Sequence, residues 1–414
     1  MALTRALIDA RPLRFSSQFR RLWLGRALSS FGSQMTAVAV MFQVWQLTHS
    51  ALWTGAIGIA QAVPIIGFGL FAGAVVDHGD RRRIYLLATM GQAVCSVLLA
   101  VQALWGRLPV SGILAIVAVQ ELFSTGVGPA ARAFVPRLLP ASQVGAGMAL
   151  NRIAFQAALL VGPVLGGLTI GWLGVQGCYF VDAVTFGFSF LGAYGLPAMH
   201  TDGAPSRPGL HGTLEGLSFL VRNRLVRGAL LTDLVATVLS FPISLFPLIN
   251  AQRFHNDPRT LGLFLTAIAV GGVLASILSG AFTRAARPGA FMLAGAATWG
   301  LALALFALAP NPWVGLLLLT VAGAADTVSV VSRSTIVQLH TPDSLRGRVG
   351  AAEQIVGTAG PGLGNMRAGL VAHASSGILA LVSGGLLCLI GVAAVSVAIP
   401  DLRSPQTPTS GATF

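Results

Sequence analysis

The chain has 414 residues, of which 54% are hydrophobic and only 9% are charged, and its formal net charge at pH 7 is +13. An ordinary soluble domain carries about 25% charged residues, so this composition excludes that class and predicts a membrane protein. All 26 basic residues are arginines, and their positions, given below, favour membrane topology over nucleic-acid binding as the origin of the positive charge.

Twelve apolar runs are long enough to cross a bilayer, since a spanning helix needs about 20 largely apolar residues. These predicted spans, numbered one to twelve in chain order, are 22–46, 52–77, 84–105, 109–131, 143–173, 176–197, 226–250, 258–283, 287–308, 311–333, 347–373 and 375–399. They predict an all-α membrane protein with twelve transmembrane helices.

Arginine positions predict the orientation, because cytoplasmic loops carry an excess of Arg. With the N-terminus in the cytoplasm, twenty arginines fall on the cytoplasmic side, three on the opposite side and three within spans. We therefore expect a multi-pass membrane protein with both termini in the cytoplasm.

One long polar loop divides the spans six and six. The predicted domains are a cytoplasmic segment 1–21, a six-helix bundle 22–197, a cytoplasmic central loop 198–225, a second six-helix bundle 226–399 and a cytoplasmic tail 400–414. The two bundles are predicted to be pseudo-symmetric, because residues 140–168 match 342–370 at several Pro, Ser, Gly and Ala positions. Repeated six-helix halves are typical of secondary transporters.

A charged stretch, GAVVDHGDRRR, lies between spans two and three. Gly73, Asp77, Arg81 and Arg82 match the G-x-x-x-D-x-x-G-R-R/K motif, and Asp80 stands where a second Gly is usual. With this motif, nearly the whole chain resembles the major facilitator superfamily, which implies that superfamily's fold and transport by alternating access.

The resemblance implies that this motif latches the two halves when the cavity faces outward. Gly73 lets another helix approach closely, and Asp77 can accept hydrogen bonds from the N-terminus of span eleven. Arg132 is a candidate partner for Asp77. Plain anchoring by positive charges is the alternative; it explains the arginines but neither Gly73 nor Asp77. The role of Asp80 stays open.

Span five contains Gly162-Pro163-Val164-Leu165-Gly166-Gly167. This segment resembles the GPxxGG part of the superfamily's antiporter motif, and the resemblance implies export rather than uptake. Pro removes a helical hydrogen bond, and Gly permits close packing and bending. A merely well-packed helix is the alternative.

A finer resemblance points to the branch that contains the enterobactin exporter and the Tap-type drug pumps. Its loop motifs here are Thr48-His49-Ser50, Ala285-Ala286-Arg287-Pro288-Gly289 and Thr341-Pro342-Asp343-Ser344-Leu345-Arg346-Gly347-Arg348. Many relatives carry an Asp after a Gly in span one. Here Gly32 is followed by Ser33 and Gln34, which argues against a proton carrier in that span.

Ionisable groups inside a bilayer are costly and usually face a cavity or a partner. The carboxylates predicted within spans are Glu121, Asp182, Asp233, Asp326 and Glu353. In the superfamily, spans one, four, seven and ten line the cavity, so the candidates for proton coupling or substrate binding are Glu121, Asp233, Asp326 and Arg26.

Each of these carboxylates also has a structural interpretation. Glu121 is the first choice for proton or cationic-substrate contact, with a fixed ion pair to Arg26 or Arg152 as the alternative. For Asp233 and Asp326 the alternative is an ion pair between the halves, and for Asp182 and Glu353 we expect packing or pairing.

Other chemistry finds no support in the sequence. A P-loop needs Lys, which this chain lacks, and the histidines show no metal-binding spacing. We therefore expect that the protein is not an enzyme and binds no nucleic acid. We expect it to use a proton gradient and to need no cofactor and no metal. The predicted function is proton-coupled export of a small organic molecule by a monomer in the lipid bilayer. A siderophore is the first substrate hypothesis, a broad range of drugs the second, and an uptake or facilitative carrier the alternative of another class.

Overall fold

The computed structural model describes residues 9–106, 108–197, 199, 218–279, 282, 287–342 and 345–404. Within these ranges it describes only the backbone of residues 69–78, 129, 132, 346–348, 350–352, 354, 355 and 358. The described chain is almost wholly helical and contains no strand, in agreement with the predicted fold class.

Six helices of the first half lie wholly within the described residues. They are α1 (Arg11–Phe15), α2 (Ser17–Thr48), α3 (Ala51–His78), α4 (Arg81–Trp105), α5 (Val110–Leu138) and α6 (Ala141–Tyr194). Helices α2 to α5 contain spans one to four, and α6 contains both span five and span six.

Helix α6 is a hairpin of two helices. Gly174 has a non-helical backbone with φ 71°, a conformation that suits Gly. The Cys178 thiol donates to the Gly166 carbonyl at 3.5 Å, whereas 12 residues of continuous helix would separate them by about 18 Å. The chain therefore folds back at Gly174, and spans five and six are joined by almost no loop.

Seven helices and two short 3₁₀ segments of the second half lie wholly within the described residues. The helices are α7 (Arg224–Ser240), α8 (Phe246–Arg253), α9 (Pro258–Ile277), α10 (Pro288–Phe306), α11 (Pro312–His340), α12 (Arg346–Ala374) and α13 (Gly377–Ala398). The 3₁₀ segments are Ile243–Leu245 and Pro400–Arg403.

Span seven is broken, although the sequence predicts one helix over 226–250. Helix α7 ends at Ser240, and the chain resumes as α8 after the 3₁₀ segment. Pro242 follows the end of α7 and cannot donate a helical hydrogen bond, and Pro247 lies in the first turn of α8. The two prolines therefore set the break.

The helices that contain spans four and ten continue beyond the predicted spans. Helix α5 continues to Leu138 and α11 continues to His340, each about two turns beyond the predicted end. The predicted spans end at residue 131, just before Arg132, and at Arg333, but a charged residue does not end a helix when it reaches water or a partner. Arg333 has such partners, described below.

Several helices begin at a side chain that accepts backbone hydrogen bonds. The caps are Asp80 for α4, Asn223 for α7, Asp257 for α9, Asn311 for α11 and Ser376 for α13. Such residues are preferred at this position because they satisfy N–H groups that have no partner within the helix.

The chain divides into two compact units. Unit one comprises Met1–Gln43, Val63–Pro208 and Leu261–Thr266, and unit two comprises Val44–Ala62, Gly209–Thr260 and Ala267–Phe414. In unit one, Tyr85 packs edge-on against Phe134 with ring centroids 5.4 Å apart. In unit two, Phe246 packs edge-on against Phe306 at 5.7 Å.

Within the described ranges, nine helices are long and apolar enough to cross a membrane. One of them, α6, contains two of the predicted spans, and the more polar α2 and α12 contain spans one and eleven. Many large apolar side chains are exposed, for example Trp172, Phe180 and Ile277. In a bilayer these side chains face acyl chains rather than water.

Candidate functional site

Polar side chains within the apolar helices form the candidate transport site. Among the described residues, one cluster in each unit contains carboxylates from within the predicted spans, and a further polar contact lies at the start of α4. The clusters centre on Asp182 in unit one and on Arg333 in unit two. The glycine motif of α6 packs close to the first cluster.

The start of α4 is tied to the chain that follows α6. The Asp80 carboxylate accepts hydrogen bonds from the backbone N–H groups of Arg82 and Met199, each at 3.0 Å. In return, the Arg81 N–H donates to the Met199 carbonyl at 3.1 Å. Arg82 donates to the Tyr194 carbonyl and lies over its ring. The residue where relatives usually have Gly therefore anchors the exit of α6.

The remaining residues of the predicted latch lie outside the described side chains. Gly73 and Asp77 are in the helical backbone of α3, and Arg132 is in that of α5. The latch stays a prediction.

Glu121 and Arg26, the predicted candidates in unit one, are not joined. Glu121 is half-buried on α5. Arg26 is half-buried on α2, where its carbonyl accepts hydrogen bonds from Ser29 and Ser30. Arg152, the other suggested partner, is exposed on α6. Among the described side chains, none of the three forms an ion pair.

Asp182, predicted to be structural, is the most enclosed of the described carboxylates of unit one. It lies in the second helix of the α6 hairpin and is 0% exposed. Its donors are Ser96 at 2.8 Å, Thr36 at 2.9 Å, and Gln120 and Ser33 at 3.4 Å each. The carboxylate therefore has hydroxyl and amide partners from three other helices, and no cation in the described ranges contacts it.

The cluster in unit two is an ion-pair network. Arg333 of α11 pairs with Asp233 of α7 and lies 3.3 Å from Glu353 of α12. Ser334 donates to the same Glu353 carboxylate at 3.4 Å. Arg333 is only 8% exposed, so it is a buried counter-ion, whereas the sequence analysis treated it as the end of a span. The Asp233 pair lies within one unit, not between the halves as the alternative interpretation proposed.

Asp326 lies seven residues before Arg333 on α11 and is half-buried. Seven residues are close to two helical turns, so the two residues share a face of the helix. The carboxylate has no ion pair and no hydrogen bond within the described part of the chain. Its interpretation as an ion pair between the halves therefore finds no partner there.

The glycine motif of span five forms a close helix contact. Gly162, Pro163, Gly166 and Gly167 are all buried in α6. A Cβ atom on Gly162 would lie 2.5 Å from the Gln34 Cβ, and one on Gly166 would lie 3.1 Å from the Met35 Cα. Small residues at these positions let α6 and α2 approach closely.

Pro163 also has a consequence for its helix. Proline cannot donate the backbone hydrogen bond of an inner helical position, which weakens the helix locally. The Thr266 hydroxyl donates to the Leu160 carbonyl at 3.0 Å in the turn before this proline. The motif therefore combines close packing with a weakened helix, as its composition predicts.

The sequence analysis identified the buried carboxylates but not the residues that bind them. Ser33, Thr36, Ser96 and Gln120 are ordinary residues along the chain, and only their placement within spans could have drawn attention to them. Arg333 was missed because a basic residue at a predicted span end usually reaches water. No cluster of His, Cys, Asp or Glu that could hold a metal ion occurs among the described residues.

Comparisons with known proteins identify relatives of similar length. A family model described as transmembrane secretion effector matches residues 10–411. Enterobactin exporter EntS from Escherichia coli O81 (strain ED1a) is 28% identical over 414 residues, covering 97% of each chain. The protein of the same name from Shigella boydii serotype 18 is also 28% identical with the same coverage.

Solved transporter structures share the fold. The nucleoside transporter NupG superposes with a TM-score of 0.74 at 16% identity, covering 93% of this chain and 98% of NupG. A bacterial homologue of the human lysosomal transporter Spinster, inward-facing and unoccupied, gives a TM-score of 0.71 at 16% identity, with coverage of 94% and 98%.

Proposed function

Because the chain belongs to the transmembrane secretion effector family of the major facilitator superfamily, we propose that it exports a small organic molecule in exchange for protons. A siderophore is the first substrate class. The protein is a multi-pass membrane transporter, and this proposal concerns its substrate, its direction and its energy source.

The observation that carries the proposal is the full-length similarity to enterobactin exporters. The match covers 97% of both chains, so the relatives and this chain share the whole transport unit and not one module of it. The loop motifs before α10 and α12 add support for this branch over a generic drug pump.

The proposed direction rests on the glycine motif of α6. The superfamily's antiporter motif goes with export. A Cβ atom would lie only 2.5 Å from the nearest α2 atom at Gly162 and 3.1 Å at Gly166, so both glycines pack closely against α2. A helix weakened at Pro163 and closely packed beside it is suited to bending during the transport cycle.

The proposed coupling rests on carboxylates that lack a fixed cation. Glu121 and Asp326 fit this description among the described side chains, whereas Asp233 shares Arg333 with Glu353. A carboxylate without a counter-ion can take up a proton without leaving a buried cation unpaired. We assign Glu121 and Asp326 to proton or substrate contact, Asp233 to the buried network, and Arg26 to contact with an anionic group of the substrate.

The remaining predictions are part of the same proposal. Both termini lie in the cytoplasm, the protein is a monomer in the bacterial inner membrane, and the bundles are 22–197 and 226–399. Gly73, Asp77 and Arg132 form a latch between these bundles, with Arg81 and Arg82 at the membrane surface.

Everted membrane vesicles provide the test. Vesicles with and without the protein are given iron-free enterobactin outside, and an acid-inside pH gradient is imposed. Export in exchange for protons predicts enterobactin accumulation inside the vesicles, which nigericin abolishes by collapsing the gradient. Accumulation that persists after collapse would contradict proton coupling.

The same vesicles separate the alternatives. Accumulation of ethidium but not enterobactin would favour a drug pump. Equilibration of enterobactin without accumulation would favour a facilitative carrier, and accumulation only in right-side-out vesicles would favour uptake.

A further inference from the structure

Asp182 is the buried carboxylate that the proposed function leaves unused. Three helices other than its own supply its donors: α2 with Ser33 and Thr36, α4 with Ser96, and α5 with Gln120. A carboxylate removed from water is costly unless its oxygens accept hydrogen bonds. These donors satisfy it as an ion although no Arg or His contacts it in the described structure.

The hydrogen-bond partners also satisfy the protonated form. Ser96 has a single hydroxyl proton but faces two acceptors, the Asp182 Oδ2 at 2.8 Å and the Gln92 carbonyl at 3.1 Å. When Asp182 is ionised, Ser96 donates to it. When Asp182 carries a proton on Oδ2, that proton is donated to the Ser96 Oγ, and the Ser96 hydroxyl turns to the Gln92 carbonyl.

Gln120 stabilises both arrangements. Its Nε2 lies 3.0 Å from the Ser96 Oγ and 3.4 Å from the Asp182 Oδ2, so it has an acceptor whichever way the serine turns. Buried polar groups without a partner are costly. Here rotation of one hydroxyl exchanges the two protonation states without creating such a group.

The ionisable groups around Asp182 do not impose one charge state on it. On its own helix, the Cys178 thiol donates to Gly166 and the Tyr179 hydroxyl donates to Gln43 at 2.8 Å. The remaining ionisable groups close in sequence to its donors are Arg26 on α2, Cys95 on α4 and Glu121 on α5. None of these three contacts Asp182 within the described structure.

The backbone of α2 lies directly against this site. A Cβ atom on Gly32 would lie 2.8 Å from the Asp182 Oδ1 and 2.9 Å from its Cα. A shift of α2 relative to α6 would therefore change the distances to Ser33 and Thr36 at once. The hydrogen-bond supply of Asp182 depends on how these two helices pack.

We propose that Asp182 is a proton-binding residue of the transport cycle and that Ser96 is the hydroxyl that adapts to its two states. In the step, an O–H bond forms on Asp182 Oδ2 as one O–H bond of a hydronium ion breaks, and no electron is transferred. Proton release at the other side of the membrane reverses it. This inference rests on the proposed proton coupling and adds a site to it.

Infrared difference spectroscopy tests the proposal without a substrate. Purified protein in lipid vesicles is measured in acidic and alkaline buffer over the range in which it stays folded. We expect a C=O band of a protonated carboxyl group at the acidic end that is lost in D182N and shifted in S96A. S189A is the matched control, because Ser189 is a buried serine on the same helix that bonds Tyr85. This variant should keep the band unchanged.

The outcomes separate this inference from the proposed function. Identical difference spectra for the wild type and folded D182N would show that Asp182 keeps one protonation state, which overturns the inference. The same band in S96A as in the wild type would overturn the role of Ser96. An Asp182 band in a protein that fails to accumulate enterobactin or ethidium would instead contradict the proposed function alone.

Discussion

The Asp80 carboxylate accepts a hydrogen bond from the backbone N–H of Met199 at 3.0 Å, across 119 residues of chain. The same carboxylate caps α4 through the Arg82 N–H. One side chain therefore fixes both the beginning of α4 and the chain that leaves α6. It is a buried acceptor, whereas its neighbour Arg83 is exposed and lies 3.6 Å away.

Replacement of Asp80 tests this double role. Asp80→Ala removes the cap and the Met199 contact, and we expect it to lower the free energy of unfolding by about 2 kcal/mol. Asp80→Asn keeps an acceptor oxygen and should cost less than about 1 kcal/mol. Thermal unfolding in detergent measures both. Equal losses would indicate that the charge, and not the acceptor, matters.

Removal of Arg333 should be more damaging than removal of Asp233. Arg333→Gln leaves the buried Asp233 and the half-buried Glu353 without their cation, and breaking a buried pair in this way costs about 3–5 kcal/mol. Asp233→Asn leaves Arg333 beside Glu353 and should cost less. Unfolding in detergent gives the order of the two variants.

The exposed pair of Arg224 and Asp401 is the control for the buried network. Their atoms lie 3.5 Å apart and both side chains are more than half exposed. Arg224→Gln should therefore change the free energy of unfolding by less than about 1 kcal/mol. An Arg333→Gln variant as stable as Arg224→Gln would contradict the buried network.

Two glycines of α6 provide a matched test of close packing. Gly162→Ala places a methyl group 2.5 Å from the Gln34 Cβ, and overpacking of this kind costs about 1–3 kcal/mol. Gly187→Ala meets no atom within 4 Å and should be neutral or stabilise the helix by up to about 1 kcal/mol. Thermal unfolding distinguishes them, and a neutral Gly162→Ala would show that α2 can move aside.

Replacement of Asp326 should reduce proton-coupled transport while leaving the stability of the protein almost unchanged. Since its carboxylate makes no ion pair or hydrogen bond within the described residues, Asp326→Asn should change the free energy of unfolding by less than about 1 kcal/mol. Under the proposed function, the variant should lose most of the accumulation driven by the pH gradient in everted vesicles. Wild-type accumulation would exclude Asp326 from proton coupling.

The sequence predicted the helices well because bilayer thickness sets their length and composition. Its errors concern boundaries that depend on partners or prolines. The sequence analysis took Arg333 as the end of span ten, because its partners Asp233 and Glu353 lie on other helices and cannot be recognised along the chain. The sequence analysis predicted span seven as one helix because its apolar character continues through Pro242.

The sequence also predicted only part of the candidate site, namely its carboxylates and not their hydrogen-bond donors. A carboxylate within a span can be recognised from the sequence, and Asp182 was recognised in this way. Its hydrogen-bond donors cannot be recognised from the sequence. Thr36 lies 146 residues from Asp182 along the chain, and Ser, Thr and Gln are common in membrane helices. Packing alone distinguishes a carboxylate with a cation from one with hydroxyl partners.

The hairpin at Gly174 has a mechanical consequence. The helix that carries Gly162 and Pro163 is linked to the helix that carries Asp182 through a single non-helical residue, so the connection has almost no slack. If the helix bends at Pro163 during transport, the Asp182 helix would therefore move with it. Extra residues inserted at Gly174 would form a flexible linker. Both helices would stay intact, but the movement of one would no longer be coupled to the movement of the other.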